Sequence, residues 1–170
     1  MEITTIEQAK GAVEKWLKEN HHNVIEIKND SANFHFEVDF PADTQKKQYV
    51  IQPKDYPSMI LLLSGVSIAP EHLEKIKNIS EEELDSFYNE ITKETIFLEN
   101  SFEMNTDELG IVQQIQFSLE FYFDSLTKTQ LLKGLLLNHK SLMYIVTKFN
   151  EKFGIPTVST HPNEEMAGNI

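Results

Sequence analysis

Apolar and polar positions alternate with two different periods along this chain, and the order in which the periods change predicts its elements. Ile6, Ala9, Val13, Trp16 and Leu17 recur on one helical face, with Glu7, Lys10, Glu14, Lys15 and Lys18 largely elsewhere. Thr4 followed three residues later by Glu7 reads as a capping box that opens this helix, and the cluster NHHN at 20–23 closes it. Residues 24–28 (VIEIK) then read as a short strand, and 29–31 (NDS) as a turn. From there the period is two. Phe34, Phe36, Val38 and Phe40 point one way, and His35, Glu37 and Asp39 the other, as in a half-buried antiparallel strand. Residues 48–52 (QYVIQ), set between turns at Pro41 and Pro53, form the next strand.

The stretch from Ser58 to Lys77 organises the rest. Its apolar run, MILLL at 59–63, is too short to cross a bilayer, and Pro57 and Gly65 bound it. Such a run reads as a strand covered on both faces. Pro70 suits the first turn of the helix that follows. Ser80 and Glu83 form a capping box, and Leu84, Phe87, Tyr88, Ile91, Thr95 and Leu98 follow at helical spacing. Residues 101–104 suggest a short strand and 107–110 a turn. A long strand follows, with Ile111, Gln113, Ile115, Phe117, Leu119, Phe121 and Phe123 on one face and Val112 and Tyr122 out of phase. Thr127 and Gln130 cap a last helix over 128–152, which Gly154 and Pro156 stop.

The predicted order is α-β-β-β-β-α-α-β-β-α. The class is α+β, with helices flanking an antiparallel sheet of five or six strands. Connections among the first four strands are too short for parallel crossovers, so these form a meander. Residues 1–154 are expected to make one domain, and 155–170 a flexible C-terminal tail with little to bury.

Composition narrows the functional classes. The formal net charge is −12, and every one of the 15 basic residues is lysine. Arginine supplies the planar fork for bidentate phosphate contacts, so its absence and the acidic balance argue against nucleic acid. With no cysteine, disulfides, thiolate metal sites and cysteine nucleophiles are excluded. No membrane-spanning run and no secretory leader pattern are seen, so the expected location is the cytoplasm.

Candidate chemistry is sparse. The six histidines include no pair spaced to place two ligands on one helical face. The row His35, Glu37 and Asp39 shares one strand face. It is either the solvated side of a half-buried strand or a site for acid–base work or cation binding. Ser64-Gly65-Val66-Ser67 lacks the nucleophile-elbow pattern, and no glycine-rich phosphate loop exists. No catalytic residue, metal ligand or cofactor-binding residue is assigned. The apolar stripe with Phe87, Tyr88, Ile91 and Phe97 is broader than one helix face needs. It is either an ordinary core stripe or a candidate interface for a homodimer.

Four segments resemble an uncharacterised family of small, mainly archaeal proteins: 27–38 (IKNDSANFHFEV), 51–55 (IQPKD), 63–72 (LSGVSIAPEH) and 122–128 (YFDSLTK). That resemblance spans most of residues 2–153 and implies no activity. The element order is also similar to the fold of type III secretion chaperones, acidic α+β proteins that often dimerise and hold extended client segments. Together these lead to the expectation of a non-enzymatic protein- or peptide-binding module, chaperone-like, without nucleic acid or membrane as partner. The alternative is an enzyme or a small-ligand or metal sensor using His35, Glu37 and Asp39. A basic or neutral segment is expected to suit the acidic surface best.

Overall fold

The computed structural model describes residues 3–42, 44 and 46–157. Its elements follow the predicted order: α1 (Ile6–Glu19), β1 (Val24–Glu26), β2 (Ala32–Asp39), β3 (Lys47–Pro53), β4 (Met59–Ser67), α2 (Pro70–Ile76), α3 (Glu81–Thr95), β5 (Ser101–Thr106), β6 (Val112–Tyr122) and α4 (Lys128–Phe153). The six strands form one antiparallel sheet in the order β1-β2-β3-β4-β6-β5. The first four make the meander. The crossover through α2, α3 and β5 then returns β6 to the free side of β4. The predicted tail falls mainly on 158–170, outside the described residues. Its first residues, 155–157, are described, and the Thr157 amide donates to Glu71.

Helix starts follow the expected chemistry with one correction. α1 is capped by Thr5, not Thr4: the Gln8 amide donates to Thr5 Oγ1, and the Gln8 side chain accepts from the Thr4 and Thr5 amides. Gln8 completes the reciprocal box that Glu7 was expected to make, and the helix starts one residue later. Ser80 caps α3 through the Glu83 amide, but the Glu83 side chain pairs with Lys152, so only half of the expected box forms; Thr127 caps α4 as expected.

The helices lie on one side of the sheet. β2 presents Phe34, Phe36 and Val38 to α1 and α4, joined there by Val50, Ile60 and Leu62. A second core gathers Phe87 and Ile91 of α3, Ile115 and Phe117 of β6, and Ile145, Phe149 and Phe153 of α4. The other face of the sheet carries a smaller cluster, Ala32, Tyr49, Ile51 and Leu63, with Ile27 and Leu61 beside it. The apolar run of β4 is therefore packed on both sides, Leu62 one way and Leu63 the other. Val112 is buried although it is out of phase with the rest of β6. An irregularity in the β5–β6 ladder between Asn105 and Thr106 resets the alternation there.

Candidate functional site

The row His35, Glu37 and Asp39 lies on the face away from the helices, as the alternation predicts, but it is not simply wet. His35 is 1% exposed. Ile51 stands opposite it in the β2–β3 ladder, and Tyr49 meets its ring edge-on with centroids 5.3 Å apart. Asn29 Nδ2 lies 3.1 Å from His35 Nδ1, which accepts its N–H in the tautomer that protonates Nε2. Nε2 is buried and has no hydrogen-bond partner among the described residues. Burial pushes the imidazole pKa below its ordinary value, against the pull of Glu37.

Glu37 and Asp39 share one ammonium. Lys47 Nζ lies 2.9 Å from Glu37 and 2.5 Å from Asp39, and Asn23 donates to the other Asp39 oxygen at 2.9 Å. Burial works to raise the Asp39 pKa, but the hydrogen bonds from Lys47 and Asn23 outweigh it and hold the carboxyl below its usual range. The hydrogen bond to Asp39 in turn raises the Lys47 pKa. The row is thus a cluster of two carboxylates on one ammonium next to a buried histidine, and of these side chains Lys47 alone reaches the cavity described below. Among the described residues, no group of three or more histidine and carboxylate side chains is arranged to hold a metal ion.

The predicted interface divides in two. Phe87 and Ile91 are buried in the chain's own core, and the Phe87 ring packs edge-on against Phe149 and Phe153. Tyr88 is half-buried, and its hydroxyl accepts from the Val112 amide at 3.2 Å. These three positions belong to the stripe that seats α3 on α4 and β6. Phe97 lies beyond the helix end, off that stripe, and is 90% exposed. With Ile96 it forms an exposed apolar turn.

A cavity that the sequence did not reveal lies where β4 outruns its neighbour. The β3–β4 ladder ends at Tyr49–Leu63, while β4 continues to Ser67 beside β6. Between this end of β4 and α4 is a space of about 370 Å³, within the range that holds a small ligand or a large side chain. Val66 and Ile68 wall one side, Ile145, Val146 and Phe149 the other, and Ile155 and Pro156 cross from the end of α4. His72 closes one part: its Nε2 lies 2.7 Å from the Gly154 carbonyl oxygen, and its ring packs on Phe149 and Phe153. Lys46, His139 and Met143 lie at the more exposed part. No local pattern announces this site, because its walls come from separate segments of the chain.

Residues 9–149, from α1 into α4, match the family model described as "Uncharacterized conserved protein (DUF2299)". The chain belongs to this family. No curated protein matches it. An uncharacterised protein from Methanothermobacter thermautotrophicus has a similar crystal structure, with a TM-score of 0.78 at 24% identity over 86% of this chain and 99% of that one. The E. coli protein YbjN, described as a candidate transcription regulator, is more distant, with a TM-score of 0.51 at 9% identity over 90% of this chain and 100% of that one. At these identities both likenesses are of fold alone. Among the described residues, no helix is long and apolar enough to cross a membrane.

Proposed function

We propose that this chain is a non-enzymatic protein- or peptide-binding module that holds an extended segment by one apolar side chain, in the manner of a chaperone gripping a client. The carrying observation is the cavity of about 370 Å³ between α4 and the end of β4 that runs past the β3–β4 ladder. An apolar anchor in a water-excluding pocket is how peptide interfaces concentrate their binding energy. The rival reading, an enzyme or sensor built on His35, Glu37 and Asp39, has less support. Lys47 is ion-paired with both carboxylates, and the histidine is buried. What remains of the predicted homodimer surface is the Ile96–Phe97 turn, since Phe87 and Ile91 serve the core.

Calorimetric titration with an N-acetylated hexapeptide ending in leucine tests the reading. Wild type is expected to bind it. Val146→Trp, which fills the cavity, is expected to weaken binding by about tenfold or more, the equivalent of roughly 1.4 kcal/mol, while keeping its melting temperature. No binding by wild type, or equal binding by both proteins, contradicts the proposal.

A further inference from the structure

The charges around the cavity do not follow the charge of the chain. Acidic residues outnumber lysines 27 to 15 in the sequence, yet no Asp or Glu is among the described residues that line this space. The N–H-bearing side chains that line it are Lys46, Lys47, His72, His139 and Asn150, of which Lys46 and His139 stand at its more exposed part. Lys46 is exposed, and the one polar contact of its ammonium among the described residues is Met143 Sδ at 3.2 Å. A thioether is a weak acceptor, so this exposed ammonium keeps its N–H donors available to a ligand. The adjacent lysine is a useful contrast, because Lys47 spends its charge on Glu37 and Asp39.

His139 is the second group. It is half-buried on α4 and packs edge-on against Phe40, with centroids 5.9 Å apart, and its ring nitrogens have no hydrogen-bond partner among the described residues. Lys46 is close enough for its charge to oppose protonation of this imidazole. Beside an apolar space, Lys46 thus places a positive charge that pairs with no carboxylate among the described residues, and His139 places a ring N–H next to it. Charge complementarity there calls for an anion attached to an apolar group. Ile155 and Pro156 line the same space, followed by Thr157, which is tied to Glu71. A C-terminal residue offers such an anion, a free carboxylate beside an apolar side chain.

We infer that the cavity takes the C-terminal residue of a partner chain, with its apolar side chain inside and its free carboxylate on Lys46 and His139. This rests on the binding-module reading and gives it a partner chemistry. It also reverses, at this site, the expectation that a basic or neutral segment suits the acidic surface. A carboxylate accepts hydrogen bonds from an ammonium and an imidazole N–H together, and charge-assisted bonds of this kind are the stronger ones.

The test uses three probes on the full chain: the N-acetylated hexapeptide ending in leucine as its free acid, the same peptide as its C-terminal amide, and sodium decanoate. The acid is expected to bind wild type at least about tenfold more tightly than the amide. In Lys46→Ala/His139→Gln that ratio should fall to near one, with the melting temperature kept. Equal binding of acid and amide to wild type overturns the inference and leaves the binding module standing. A preference for the acid that survives in the double variant also overturns it, since the carboxylate is then held elsewhere. Binding of decanoate without either peptide shows a small-molecule site and overturns both readings, as does failure of all three probes.

Discussion

Gly134 of α4 sits directly over Leu62 of β4, so closely that a β-carbon on the glycine would meet Leu62 Cδ1 at 2.7 Å. Phe121 Cζ would lie 2.9 Å from the same carbon. The absent side chain is what lets the longest helix come down onto the central strand.

Volume at this contact should therefore be conserved between the two residues. Leu62→Ala is expected to cost roughly 2–5 kcal/mol through lost burial and a residual void. Gly134→Ala should cost about 1–3 kcal/mol by overpacking, offset by up to about 1 kcal/mol of helix propensity. In the double variant the new methyl group enters the space the leucine vacates. Urea denaturation should then show a total below the sum of the single effects by roughly 0.5–3 kcal/mol. Strict additivity would mean that the two side chains do not share that space.

Acid should destabilise the fold through His35. Its folded pKa lies below its ordinary value of 6.5 because burial disfavours the imidazolium, with Glu37 opposing. The unfolded chain thus binds the proton first. The stability contribution is full above 6.5 and is lost as pH falls from there through the folded value. His139 is shifted the same way, by burial and then by Lys46. Unfolding free energy measured across this range should fall with acid in wild type, and less steeply in His35→Phe. An unchanged slope in the variant would show that His35 does not carry the linkage.

The two halves of the predicted interface should respond differently to substitution. Phe87→Ala should lower stability by roughly 3–5 kcal/mol, because the ring is buried among Phe149 and Phe153. Phe97→Glu should leave the melting temperature nearly unchanged, since that ring is exposed. Sedimentation of wild type and Phe97→Glu then reports whether the Ile96–Phe97 turn holds two copies together. An identical monomeric mass for both proteins removes self-association from this surface.

Most of the architecture was legible because its signals are local. The period of two in Phe34, Phe36 and Val38, the helical stripes and the Ser80 and Thr127 caps each arise within a few residues, and together they yield the element order. Features set by register were not legible. His35 is buried because Ile51 and Tyr49 are placed beside it across the β2–β3 ladder, and a period-two pattern carries no information about that neighbour. Val112 faces inward because of an irregularity in a ladder whose other strand is β5. The cavity depends on β4 running past the end of β3, a difference in length between paired strands. Likewise, Lys46 and Lys47 look equivalent in the chain, and only the fold separates the ammonium paired with two carboxylates from the one with no carboxylate partner among the described residues.

Methyl-detected NMR titration with the leucine-ended hexapeptide locates the binding surface most directly. The account predicts shifts in the methyl groups of Val66, Ile68, Val146 and Ile155, which line the cavity. Shifts confined to Ile96 and the residues around Phe97, or to Ile51 and Leu63 on the opposite face of the sheet, would contradict it.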